Sequence, residues 1–201
     1  IILAIGGSAT NDGGTGMAAA LGYRFLDAEG NELPQGGGGL AHLARIDDSN
    51  VDPRVKAARF RVACDVNNPL YGERGASAVY GPQKGATAQD VKDLDAALRQ
   101  LSKVVEQQFD LKAEETPGAG AAGGLGYGLM VFCGASLEKG IDIVLDAVDF
   151  DERLEHKDMV ITAERNIDGQ TAYRTVPIGI SYRAKQKGVP VLVIAGDIGD
   201  G

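Results

Sequence analysis

Three polar loops and one lysine hold the residue types that bind and transform a small polar ligand. The first loop, Gly6-Gly-Ser-Ala-Thr-Asn-Asp-Gly-Gly14, sets Ser8, Thr10, Asn11 and Asp12 among glycines. Glycine lets backbone amides approach a ligand closely, and the four side chains add donors, acceptors and one fixed negative charge. The second loop, Asp65-Val-Asn-Asn-Pro-Leu70, carries Asp65 and Asn67, and the third, Ala163-Glu-Arg-Asn-Ile-Asp-Gly-Gln170, carries Glu164, Asp168 and Gln170. Lys84, in Gly81-Pro-Gln-Lys-Gly85, is a cation suited to a phosphate, although surface lysines usually meet only water. Each acidic residue also suits a plainer role. Asp and Asn favour caps and turns, and Asn11 or Asp12 would cap a helix beginning near Thr15.

The elements that must position these loops are legible as hydrophobic patterns. Ile1–Ile5 is wholly apolar and bounded by glycine, as in a strand covered on both faces. Arg59–Cys64 alternates, putting Phe60, Val62 and Cys64 on one face, and Met159–Thr162 is a further apolar strand. Each of the three strands runs into one of the loops. In open α/β sheets, ligands bind at the carboxyl ends of strands, so the three loops are expected to line one cleft.

Thr15–Gly22 reads as a short helix, Tyr23–Leu33 as a hairpin and Gly36–Gly39 as a plain connector. Thr87 and Asp90 mark the start of an amphipathic helix whose apolar face is Val91, Leu94, Leu98, Leu101, Val105 and Phe109. Pro177–Gly188 reads as a helix between the 159–162 strand and a strand at Val189–Ala195, which makes a right-handed βαβ unit. Ile1–Ile5 is expected to join that sheet. The fold class is therefore α/β, a parallel sheet in two parts, residues 1–22 and 151–201, bracketing an inserted α/β region, residues 23–150.

Composition narrows the function. A formal net charge of −8 argues against nucleic acid as a partner, because non-specific binding needs a basic surface. No segment has the length of a membrane span, which argues against a membrane partner, and no signal peptide is evident. Cys64 and Cys133 each sit in apolar context, as small buried hydrophobes of a reducing, cytoplasmic protein rather than a disulfide. The chain starts in an apolar strand without Met and ends just after another, as expected of a piece of a longer chain.

Gly118, Gly120 and Gly123 have the spacing of a dinucleotide fingerprint, which would make the protein a nicotinamide-dependent oxidoreductase. That fingerprint needs a buried strand immediately before it. Here the preceding Lys112-Ala-Glu-Glu-Thr-Pro117 is charged and ends in proline, which favours a glycine-rich helix start packed tightly on a neighbour.

Five strings in order resemble the type I glycerate kinases: Ile-Gly-Gly-Ser-Ala-Thr-Asn-Asp-Gly-Gly at 5–14, Val-Ala-Cys-Asp-Val-Asn-Asn-Pro-Leu at 62–70, Gly-Pro-Gln-Lys-Gly-Ala at 81–86, Pro-Gly-Ala-Gly-Ala-Ala-Gly-Gly-Leu-Gly at 117–126 and Ile-Asp-Gly-Gln at 167–170. The resemblance implies an ATP-dependent kinase that phosphorylates a hydroxyl of glycerate, built from a discontinuous Rossmann-like domain and an inserted second α/β domain. Such enzymes are longer, with further site motifs in the amino-terminal part, so the 201 residues alone are expected to show no phosphotransfer. A non-catalytic remnant of such a kinase is the alternative. The family's Gly-Glu-Gly-Arg is Ala163-Glu-Arg-Asn166 here, and its His-Gly-Lys-x-Pro is Tyr173-Arg-Thr-Val-Pro177.

Under the kinase reading, Asp12 or Asp65 deprotonates the substrate hydroxyl, and Glu164 and Asp168 help hold Mg²⁺. Lys84 offsets phosphate charge, the Gly6, Gly7 and Ser8 amides meet an anion, and Asn11, Asn67 and Gln170 contact the substrate. Asp12→Asn and Asp65→Asn are then expected to cost turnover with little loss of stability.

Overall fold

Ile2, Leu3 and Ala4 form a strand whose neighbour is not the strand at 159–162 but the one at 61–63. The computed structural model describes residues 1–167 and 176–199. They fall into two compact units, residues 1–138 and 139–201. In chain order the first contains β1 (Ile2–Ala4), α1 (Thr15–Ala20), β2 (Arg24–Leu26), β3 (Arg45–Asp47), α2 (Pro53–Ala57), β4 (Arg61–Ala63), α3 (Ala76–Tyr80), α4 (Ala88–Phe109), α5 (Ala121–Cys133) and β5 (Ser136–Glu138). The second contains α6 (Gly140–Ala147), α7 (Phe150–Arg153), β6 (Val160–Ile167), α8 (Val176–Gln186) and β7 (Val191–Ile198). The chain is thus mixed α/β with parallel sheets.

In the first unit β1, β4 and β5 form a parallel sheet in that order, with Leu3 opposite Val62 and Val62 opposite Leu137. Those three residues share one face and pack on the core, where Val62 is fully buried. Along β4 this is the alternation the sequence shows. The 1–22 stretch and the 151–201 stretch, read as two parts of one domain, lie in different units. Short apolar strands carry no label for their partner, and the ladder from Arg61 N–H to the Ile1 carbonyl (2.9 Å) decides it.

Helix α4 supplies a large share of the core, with Leu98, Leu101 and Val105 fully buried at the spacing read from the sequence. Its start is a capping box: Thr87 Oγ1 accepts from the Asp90 amide (3.2 Å) and Asp90 Oδ2 accepts from the Thr87 amide (2.8 Å). The supposed connector at Gly36–Gly39 is instead part of a 3-10 turn, Gly37–His42, packed on α4. A Cβ on Gly37 would lie 2.1 Å from the Asn11 carbonyl oxygen, so the glycine is a packing requirement. Strand β2 pairs antiparallel with β3, and the expected hairpin closes on its other side through the Leu26–Glu32 bridge, with the Asp27 amide donating to the Asn31 carbonyl (3.0 Å) and the Leu33 amide to the Phe25 carbonyl (2.8 Å). Both cysteines are free.

In the second unit β6 and β7 are parallel, and α8 packs on them to complete the expected βαβ crossover. Arg183 on α8 donates to Asp146 (2.6 Å) and Asp151 (2.9 Å), tying the helix to α6 and α7. Strand β6 runs on through Ile167, where the sequence suggests a loop from Ala163. Its polar residues still find a ladder, because β7 extends beside them and pairs Glu164 with Ala195. Among the described residues no helix is long and apolar enough to cross a membrane.

Removing the capping side chain tests the account of α4. Thr87→Ala should lower stability by about 1 kcal/mol, read as a shift of the urea midpoint with the slope of the transition unchanged.

Candidate active site

Because β1 and β4 are adjacent and parallel, the loops that leave their carboxyl ends emerge at the same edge of the sheet. The loop after β1 is held by its own carboxylate. Asp12 Oδ1 accepts from the Gly14 amide and Oδ2 from the Gly16 amide, both at 3.0 Å, and the residue is only 7% exposed. Its carbonyl accepts from the Thr15 hydroxyl (2.9 Å). Asp12 therefore caps the start of α1, the plainer of its two sequence roles, and its negative charge is matched to unsatisfied amides there.

The next residues reach across to the segment that carries α3. Asn11 Nδ2 donates to Ser77 Oγ (2.8 Å), while Asn11 Oδ1 is buried without a hydrogen-bond partner among the described residues. Lys84 Nζ donates to Ser8 Oγ (2.9 Å) and to the Thr10 carbonyl (2.6 Å). Burial lowers the Lys84 pKa below the ordinary lysine value, and the nearby Asp12 charge acts in the opposite direction. At Gly6 and Gly7 the space where a Cβ would stand is open.

The loop after β4 leaves Asp65 and Asn67 exposed. Asn68 anchors it, accepting from the Tyr80 hydroxyl (2.8 Å) and donating to the Arg74 carbonyl (2.8 Å). The glycine-rich run touches both loops. A Cβ on Gly120 would lie 2.2 Å from the Pro69 carbonyl oxygen, and one on Gly123 would lie 2.0 Å from that of Thr10. The Gly13 amide donates to the Gly123 carbonyl (3.0 Å), and the Gly120 amide to that of Asn68 (2.9 Å). No strand precedes this run, so its spacing is that of close packing and not of a dinucleotide fingerprint.

The first unit thus brings Ser8, Asn11, Asp12 and Lys84 together, with Asp65 and Asn67 on the neighbouring loop of the same sheet edge. Glu164 belongs to the second unit, half-buried on β6, its Oε1 accepting from the Arg165 amide (2.9 Å). Asp168 and Gln170 lie outside the described residues. Among the described residues no three His, Cys, Asp or Glu side chains are grouped to hold a metal ion. Ser77 and Tyr80 are not among the candidates that the sequence offers. Their signal was the offset of three and then four residues to Lys84.

Comparison with known proteins places this geometry. The profile of the glycerate kinase family matches residues 1–201. The glycerate kinase of Halalkalibacterium halodurans is 53% identical over 201 residues, covering 100% of this chain and 53% of that protein. The glycerate 2-kinase of Escherichia coli (strain K12) is 48% identical over 200 residues, 100% of this chain and 52% of that protein. A crystal structure of a Salmonella typhimurium LT2 protein assigned as glycerate kinase 2 is similar with a TM-score of 0.87 at 46% identity, over 99% of this chain and 56% of that one. The chain spans about half the length of the curated relatives it matches.

Two substitutions separate scaffold from chemistry here. Asp12→Asn leaves one amide of its loop without an acceptor, so it should cost about 1–2 kcal/mol of stability, a correction to the expectation that the change is structurally silent. Gly123→Ala adds both a left-handed strain and an overlap with Thr10, and should cost at least ~3 kcal/mol. Chemical denaturation of the two variants beside the parent measures both.

Proposed function

The chain belongs to the glycerate kinase family, and from that premise we propose that the protein carrying it transfers the γ-phosphoryl group of ATP to a hydroxyl of glycerate. The observation that most supports the reading is the pairing of an acidic loop and a lysine-held loop at one edge of the β1–β4 sheet, within a chain matched by the family along its whole length. We carry over the 2-hydroxyl as the acceptor from the name of the Escherichia coli relative. The β6–α8–β7 crossover is read as part of a Rossmann-like sheet, and residues 1–138 as a separate α/β unit.

Phosphoryl transfer needs positioning, a proton acceptor and neutralisation of charge. Asp65 is the proposed base, since it is exposed at the carboxyl end of β4, whereas Asp12 is buried at the start of α1. The substrate O–H gives its proton to the Asp65 carboxylate as its oxygen bonds to the γ-phosphorus. The bond from that phosphorus to the β,γ-bridging oxygen breaks, and ADP leaves with the electron pair. Lys84 opposes the negative charge of the transferring group with the third of its ammonium protons, the other two being held by Ser8 and Thr10. The amides of Gly6, Gly7 and Ser8 face the anion, and Asn11 and Asn67 orient glycerate.

Mg²⁺ would neutralise phosphate charge, and the hard carboxylate oxygens of Glu164, half-buried on β6, and of Asp168, which lies outside the described residues, are of the type that suits it. Few protein ligands are needed, because magnesium usually takes one or two carboxylates together with substrate phosphates. Asp12 serves the site through shape and charge, fixing the loop that Lys84 grips.

An ADP-release assay with ATP and glycerate on the full-length protein, with the product read by ³¹P NMR, tests the proposal. Turnover to a 2-phosphorylated glycerate is expected, and Asp65→Asn should cut kcat by at least ~10²-fold. Near-normal turnover in that variant would return Asp65 to the role of loop former.

A further inference from the structure

One short segment holds both loops. Ser77 and Tyr80 lie on α3, and Lys84 ends a 3-10 turn, Pro82–Lys84, joined to α3 through Gly81, which is itself right-handed at φ −60°, ψ −49°. Offsets of three and four residues place the three side chains on one face of this nearly continuous helical segment. From that face Ser77 Oγ accepts from Asn11 (2.8 Å), and Lys84 Nζ donates to Ser8 Oγ (2.9 Å) and the Thr10 carbonyl (2.6 Å). Tyr80 donates to Asn68 Oδ1 (2.8 Å). Two of the three grip the loop after β1, and the third grips the loop after β4.

The loop after β1 has little apolar side chain of its own with which to fix its shape, being built of Gly, Ser, Ala, Thr, Asn and Asp, while the loop after β4 is anchored at its far end by the buried Leu70. Side-chain hydrogen bonds from a packed helix supply what burial does not. Ser77 is fully buried, so its hydroxyl is a fixed point. Asn68 is held on three sides, by Tyr80, by the Arg74 carbonyl and by the Gly120 amide that donates to its carbonyl (2.9 Å). A change at Tyr80 therefore passes through Asn68 to the glycine-rich run.

We propose that the Ser77–Tyr80–Lys84 face sets the register of the β1 loop against the β4 loop, with Tyr80 the positioning residue for Asp65 and Asn67. Its catalytic consequence rests on the phosphotransfer reading above, while its structural consequence does not. Lys84 combines the two roles, gripping its loop with two protons and presenting the third to the phosphate.

The test uses Tyr80→Phe and Ser77→Ala in the full-length protein, with amide hydrogen exchange followed by NMR and steady-state kinetics beside it. Tyr80→Phe should speed exchange of the Gly120 amide by about 10-fold, and Ser77→Ala that of the Gly14 and Gly16 amides, while the α4 amides of Leu101 and Val105 keep their rates. Tyr80→Phe should also lower kcat by about 10- to 100-fold with KM for ATP changed less than about 2-fold, as a misplaced reacting group does. Unchanged exchange at Gly120 would overturn the proposal, and so would an equal acceleration at Leu101, which would mean general loosening. If Ser77→Ala does not fold, the Tyr80→Phe result decides alone. A wild-type protein without ATP:glycerate phosphotransfer would sink the functional reading, and the exchange data would still decide this one.

Discussion

At Gly123 the glycine-rich turn lies so close to the loop after β1 that a Cβ would stand 2.0 Å from the Thr10 carbonyl oxygen. That backbone-on-backbone approach is the constraint from which the rest of the first unit follows. It lets the Gly13 amide reach the Gly123 carbonyl, and a few residues earlier it lets the Gly120 amide reach the Asn68 carbonyl. A single run of small residues thereby becomes the floor of both loops. The conformation has its own strain, since Ala122 takes a left-handed φ of 53° beside Gly123 at 70°. Non-glycine residues hold that conformation only where the surroundings over-determine it.

Charge is arranged on this floor with similar economy. Asp12 spends its carboxylate on two amides, which removes it from solvent without leaving it unpaired. Lys84 is partly desolvated, so burial favours its neutral form, and the Asp12 charge nearby works to keep it protonated. An ammonium held in this way is pre-oriented for an incoming anion and needs little reorganisation to meet it. Asp12, buried at the start of α1, is spent on structure, while Asp65 on the next loop stays exposed.

The second unit is built on different terms. Among its described residues Leu154, Ala184 and Val189 form a small buried cluster, Ile143 and Leu145 of α6 are also buried, and the ion pairs of Arg183 with Asp146 and Asp151 hold α6, α7 and α8 together. Its sheet is covered by α8 on one face, while Ile161, Leu192 and Ile194 on the other are each about half exposed or more. A parallel sheet is normally covered on both faces, and the chain spans about half the length of its curated relatives.

The amino-acid sequence by itself determined the local order of this protein. The start and buried face of α4, the βαβ crossover, the free cysteines and the polar loops after apolar strands follow from periodicity, capping chemistry and glycine placement, which act over a few residues. The motif strings carried the family. Partnership was decided only in three dimensions. Nothing in Ile1–Ile5 distinguishes Arg61–Ala63 from Val191–Ile198 as a neighbour, because main-chain hydrogen bonds are the same for every sequence. For the same reason Glu164, polar and read as part of a loop, is carried in a strand by its pairing with Ala195. Asp12 and Asp65 were equal candidates in sequence, and the fold buries the first against two amides and leaves the second exposed. Ser77 and Tyr80 were ordinary residues of a short helix until the fold set Asn11 and Asn68 opposite them, since a side chain's chemistry is fixed by its type but its partner is chosen by packing.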